Sequence, residues 1–191
     1  MRKPKIKPAK DTKGYAIAII DMQSWFLDDM GHDNDGKYRH QEKLIGNCSK
    51  LIRWGMKNKL PIVFLTYAIE HDCAEEEPEF NQTVDELRSL CRGYKKMMQM
   101  RKYTDSGANE LVQVLGGVRN FYLAGVNASA CVGRTSSGLV DFGRNAYIVD
   151  ECSVDTWDRR WVTAGQIFDG TREHFFIENT PTAIPMKKLI A

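Results

Sequence analysis

Cys131, Asp21 and Lys102 lie far apart in the chain, yet their side-chain types together make one kind of chemistry. A thiolate attacks an acyl or amide carbon and forms a covalent intermediate. A carboxylate takes the thiol proton and returns it to a leaving nitrogen. An ammonium holds the negative charge that develops between them. Cys131 closes the run Gly125-Val126-Asn127-Ala128-Ser129-Ala130-Cys131, directly after the apolar Phe121-Tyr122-Leu123-Ala124. The pattern predicts a buried strand, a sharp turn and a thiol at the start of a helix. Free backbone N–H groups there favour an anion and lower a thiol pKa. Taken singly, each residue also has an ordinary role: Cys131 as a small packing residue, Asp21 as a helix cap, Lys102 as surface charge. The chemistry needs all three to meet.

The elements that would bring them together can be read from periodicity. Tyr15-Ala16-Ile17-Ala18-Ile19-Ile20-Asp21 is an almost unbroken apolar run ending in a carboxylate, which predicts a central parallel strand. A carboxylate at that end must be solvated or paired. Leu44, Ile45, Cys48, Leu51, Ile52 and Gly55 recur at helical spacing and predict a helix over about 40–58. Strands are expected at Leu60–Thr66, Lys96–Lys102, Val118–Ala124, Ala146–Asp150 and His174–Glu178. Helices are expected at Val84–Leu90, Asn109–Leu115, Cys131–Phe142 and Trp157–Phe168. This alternation implies an α/β fold, a three-layer α/β/α sandwich around a mostly parallel central sheet. In such a sheet the active groups collect beyond the carboxyl ends of the strands. Asp21, Thr66, Lys102 and the turn 125–131 are all expected there.

Composition narrows the class. A chain of 191 residues with 42% hydrophobic side chains suits one domain with a real core, and no apolar run is long enough to span a bilayer. Residues 1–13 read as a basic, flexible tail without the apolar centre of a signal peptide, and 14–191 as a single domain. The net charge of +2 owes much to that tail, and no basic reading element stands out, so neither nucleic acid nor a membrane is an expected partner. Arg92 to Lys102 is the only other dense basic stretch; it fits a solvated strand and loop, or guidance of an anionic substrate. The acidic stretch 70–79 fits a solvated loop, a lid or a partner surface. Five cysteines without a short-spaced pair point to a reducing, cytoplasmic setting. His174 reads as a core or surface histidine. With no glycine-rich dinucleotide fingerprint and no phosphate loop, no cofactor is expected.

Three segments also carry a resemblance. Ile19-Ile20-Asp21-Met22-Gln23-Ser24-Trp25-Phe26 resembles the opening motif of the isochorismatase-like cysteine hydrolases, which include the nicotinamidase-related amidohydrolases. Gly125-Val126-Asn127-Ala128-Ser129-Ala130-Cys131-Val132 resembles their nucleophile motif, and Lys102-Tyr103-Thr104-Asp105-Ser106 stands where they place a catalytic lysine. The motifs occur in the family's order, over about residues 14–180. The resemblance implies the isochorismatase-like hydrolase fold, with Asp21, Lys102 and Cys131 as the catalytic set. It also implies a cis bond between Val126 and Asn127 and an oxyanion hole made by the Asn127 and Cys131 amides. Gln23 and Phe26 match pocket positions; Trp25, Tyr67 and Tyr103 complete the expected substrate pocket.

The departures are informative. Nicotinamidases of the family bind a metal through an aspartate and histidines after the second strand. Here Ala68 and Glu70 occupy two of those positions, and although Glu70, His71 and Asp72 carry donor atoms, no metal is expected. True isochorismatases usually lack the cysteine, so Cys131 speaks against that activity. The threonine usual two positions after the cis bond is replaced by Ser129. The resulting expectation is a hydrolase of a small amide or related C–N bond, acting on a small-molecule substrate as a homo-oligomer. The alternative is a non-catalytic or regulatory protein-binding domain that retains the family site.

Overall fold

The computed structural model describes residues 14–31, 39–68, 82–157, 161–169 and 181–190. The tail, the metal-like residues Glu70, His71 and Asp72, the acidic stretch and the expected strand His174–Glu178 lie outside the described residues.

Strands β1 (Tyr15–Ile20), β2 (Ile62–Tyr67), β3 (Met97–Lys102), β4 (Asn120–Gly125), β5 (Asn145–Ser153) and β6 (Thr182–Ile184) form one sheet in the order β3-β2-β1-β4-β5-β6. Every pairing is parallel. The chain builds the sheet outward from β1 to β3, returns to place β4 on the other side of β1, and builds outward again. The helices between are α1 (Ser24–Asp28), α2 (Arg39–Lys57), α3 (Asp85–Leu90), α4 (Ala108–Val114), α5 (Gly133–Asp141), α6 (Ala164–Ile167) and α7 (Lys187–Ile190).

Alternation along each strand feeds two separate cores. Ile17 and Ile19 of β1 face α2 and α3, packing with Leu44, Leu51, Ile52 and Leu87. Ala16, Ala18 and Ile20 face α4, α5 and α6, packing with Leu111, Leu139 and Ile167. A strand buried on both faces has no polar side to show, which is why β1 reads as a continuous apolar run. The three-layer sandwich is therefore as expected. The basic stretch proves to be the edge: Arg92, Lys95, Lys96 and Arg101 are exposed, while Lys102 alone turns inward.

Three elements differ from their periodicity. Helix α6 is only a single turn, because Thr163 is extended and closes a capping box with Gln166, so the helix starts there and not near Trp157. Trp157 is solvent-exposed, and Trp161 packs on α2 beside His40 and under the Lys43 ammonium, 4.1 Å from the ring centre. The last described strand is β6, between Pro181 and Pro185, too short for a strand period to register. The expected helix over 131–142 is preceded by a π-helical turn, Ala128–Val132, so Cys131 sits inside that turn and not at the first residue of α5.

Gly125, where β4 ends, needs to be glycine. Its φ is +123°, and a Cβ there would lie 1.9 Å from the Ile20 carbonyl oxygen, a backbone atom that cannot step aside. The same carbonyl accepts the Val126 N–H at 3.0 Å, so the close approach fastens the exit of β4 to the end of β1. Gly125→Ala is expected to cost roughly 2–4 kcal/mol, read as a lower urea midpoint with an unchanged slope.

Candidate active site

Asp21 follows β1 and the turn 126–132 follows β4, and these two strands flank the point where the sheet's building direction reverses. A crevice opens at the carboxyl ends of strands at such a point. Asp21 has φ of +50°, an uncommon left-handed conformation for a residue other than glycine. Its N–H is held by Leu65 O at 2.8 Å.

Lys102 reaches this place from the edge of the sheet. It leaves β3, and β2 stands between β3 and β1, so the lysine backbone lies about two strand spacings, ~10 Å, from the aspartate's strand. Only a long side chain spans that gap. Its Nζ passes 4.5 Å from the centre of the Tyr67 ring, donates to Thr104 O at 3.1 Å, and ends 2.8 Å from Asp21 Oδ2. Lysine and aspartate are 0% and 1% exposed.

The Cys131 thiol lies against the same carboxylate and is 7% exposed. Burial, and then the Asp21 charge, push the thiol pKa up to about 12, with Lys102 acting in the opposite direction. This corrects the expectation of a lowered pKa from the helix start: the thiol rests protonated, because desolvation and the neighbouring anion outweigh the backbone field. Asp21 is also raised, by burial, against the pull of the Lys102 charge and the thiol hydrogen bond. The cluster thus holds one cation, one carboxyl group and one thiol that share few protons in little water.

The turn that carries Cys131 is secured from several sides. The Val126–Asn127 peptide bond is cis. Asn127 O accepts from the N–H groups of Ala130 and Val132 at 3.1 and 3.0 Å. Ala128 N–H donates to Val154 O at 3.0 Å, and Ser129 N–H to Asp155 Oδ1 at 2.9 Å. The Asn127 side chain does not cap its own turn; its Oδ1 accepts from both Thr156 N, at 2.6 Å, and Thr156 Oγ1, at 2.8 Å. Residues 154–156 were not singled out from the sequence. The signal there was slight: an aspartate and a threonine just beyond an apolar strand.

The expected pocket residues divide. Gln23 is fully buried, and its amide clamps the Tyr67 backbone, Nε2 donating to Tyr67 O at 3.1 Å and Oε1 accepting from Tyr67 N at 2.7 Å. Phe26 meets the Tyr67 ring edge-on at 6.3 Å. Trp25 is 38% and Tyr103 66% exposed. Behind Cys131, Arg134 pairs with Asp105 at 2.5 Å, and Gly107 N–H donates to Thr135 Oγ1 at 2.9 Å, which ties the segment after Lys102 to α5. A polar cavity of about 310 Å³ lies nearby at the sheet edge, lined by Thr66, Gln82, Gln99, Met100 and Arg101 and by none of the three central residues.

Comparison with known proteins identifies the family and the fold. A family model, the isochorismatase domain, matches residues 15–166. An isochorismatase family protein from Burkholderia thailandensis has a similar structure, with a TM-score of 0.70 at 15% identity over 97% of this chain and 96% of that one. Nicotinamidase from Bacillus subtilis gives 0.57 at 17%, over 74% and 87%. A ribonuclease from Caenorhabditis elegans gives 0.62 at 18%, over 80% and 69%. At these identities the likeness establishes the fold. No curated protein sequence matches the chain.

The buried pair has a thermodynamic signature. Removing one partner leaves an uncompensated charge, so Lys102→Met is expected to lose about 3–5 kcal/mol near neutral pH. Asp21 already has a folded-state pKa above its unfolded one. Its contribution is therefore favourable below the unfolded pKa and is lost as pH rises through the folded pKa. Without Lys102 the folded value moves further up. Urea unfolding should show the variant's deficit shrinking toward about pH 4; a deficit that grows in acid would contradict the pairing.

Proposed function

Since the chain belongs to the isochorismatase family, we propose that it is a cysteine-dependent hydrolase of a small amide or a related carbon–nitrogen bond. One observation carries this reading: a single buried carboxylate, Asp21, pairs with the Lys102 ammonium at 2.8 Å and stands close enough to the Cys131 thiol for its charge to raise the thiol pKa. Nicotinamidase chemistry in a relative of the same fold supports the choice of bond.

The raised thiol pKa shapes the mechanism. Proton transfer from Cys131 to Asp21 accompanies attack on the carbonyl carbon, so no free thiolate is stored. The carboxylate is suited to this, because its own raised pKa makes it a willing acceptor. Once Asp21 is neutral, the Lys102 charge acts on the sulfur and on the developing oxyanion. The Asn127 and Cys131 N–H groups are donors of the turn outside the bonds made by Val154, Asp155 and the Asn127 carbonyl. In this reading they receive the oxyanion. Collapse breaks the C–N bond, and Asp21 gives its proton to the departing nitrogen. Water then loses a proton to Asp21 and cleaves the thioester, restoring the thiol. Phe26, Tyr67, Trp25 and Tyr103 line the approach, where a flat substrate stacks. Gln23 holds that pocket through the Tyr67 backbone.

A homo-oligomer belongs to the same reading, as does a reducing, cytoplasmic setting, the latter supported by free thiols at Cys48, Cys91, Cys131 and Cys152 among the described residues. Among the described residues, no helix is long and apolar enough to cross a membrane.

Iodoacetamide alkylation across pH tests the cluster. Wild-type Cys131 should react only as the solution becomes strongly alkaline. Asp21→Asn removes a repelling anion and should move the inflection down; Lys102→Ala removes an attracting cation and should move it up. Acylation by small amides, followed as a mass increase on Cys131, should fall about 100-fold or more in Asp21→Asn and vanish in Cys131→Ser. Amide turnover that survives in Cys131→Ser would end the covalent mechanism.

A further inference from the structure

We infer that Thr156, with Asp155, is a positioning residue for the oxyanion-binding turn, acting through Asn127. The inference rests on the hydrolase reading above and adds a part of the site that lies on a different strand from the nucleophile.

Residues 154–156 leave the end of β5 and meet the turn at three successive positions. Val154 O takes the Ala128 N–H, Asp155 Oδ1 takes the Ser129 N–H, and Thr156 gives two hydrogen bonds to Asn127 Oδ1. Thr156 and Asn127 are 1% and 5% exposed, so these bonds do not compete with water. The effect is selective. Together with the Asn127 carbonyl, the segment engages the N–H groups of residues 128, 129, 130 and 132. The Asn127 and Cys131 donors are left unengaged by these bonds. The Thr156 bonds also stop the Asn127 side chain from folding back as an N-cap, where its oxygen would compete for donors at the front of the turn. Two bonds converging on one oxygen fix the Asn127 side chain, and with it the plane of the peptide that carries the Asn127 N–H. Thr156 touches no reacting atom; it sets the direction of a group that would.

The test compares two reactions of the same thiol. Transfer of an acetyl group from para-nitrophenyl acetate passes through an oxyanion; alkylation by iodoacetamide does not. Both are followed on the Cys131 peptide of the full-length protein. In Thr156→Val, acetylation should fall about 10- to 100-fold, in the rate at saturation and not in the half-saturating concentration. Alkylation at a fixed alkaline pH should stay within about two-fold, and Thr156→Ser should restore acetylation. Asn127→Ala, which removes both bonds where Thr156→Val removes one, should lose acetylation at least as far, and adding Thr156→Val to it should cost nothing more. Acetylation by Thr156→Val at the wild-type rate, additive losses in the double variant, or equal losses of both reactions would overturn the inference while leaving the hydrolase reading intact. If wild-type Cys131 accepts no acetyl group at all, the hydrolase reading fails first and the inference falls with it.

Discussion

The Lys102–Asp21 ion pair is the constraint on which the rest of the site depends. Two opposite charges 2.8 Å apart sit almost wholly out of water, where neither is tolerable alone. Their contact requires that β3, β2 and β1 lie in that order and end at one level, because a lysine has just enough length to cross one intervening strand. It also makes the Tyr67 ring part of the arrangement, as the surface over which the ammonium passes. Together with burial, the pair bears on the third member: the Asp21 charge opposes ionisation of the thiol and the Lys102 charge favours it.

The sheet supplies the level surface on which this can happen. Its two cores are filled independently, by α2 and α3 on one face and by α4, α5 and α6 on the other. Asp21 and Lys102 belong to neither core, while Cys131 packs at the margin of the second; all three stand at or just beyond strand ends. Gly125 brings the exit of β4 against the end of β1, closer than any side chain would permit, and so sets how near the turn that carries Cys131 can come to Asp21. The Arg134–Asp105 pair and the Gly107–Thr135 bond do the corresponding work for the segment after Lys102.

Most of the scaffold was legible because burial on both faces leaves a plain trace. The runs at β1, β2 and β4 and the helical spacing of α2 follow from it directly. The three central residues were legible as types at strand ends. What the sequence did not disclose depends on contacts between distant segments. Periodicity around Trp157 and Trp161 resembled a helix, but Trp161 is spent on α2 and the capping box at Thr163 sets the real start. The thiol's resting state escaped for the same reason. A helix start argues for a low pKa, and burial of the sulfur, with Asp21 placed beside it, reverses it. Gln23 carried a pocket position by motif, and its amide is engaged by the Tyr67 backbone. Thr156 had no motif at all.

The reversal of the sheet's building direction divides the three central residues between two parts of the polypeptide. Everything through β3 supplies the acid and the cation; everything from β4 onward supplies the sulfur and its cradle. Neither part holds a complete set. A chain that ends before β4 has the carboxylate and the cation without the sulfur, and the sulfur meets them only when β4 lies beside β1. Under the proposed mechanism, hydrolysis therefore requires β4 beside β1, and a chain folded only through β3 holds no complete set.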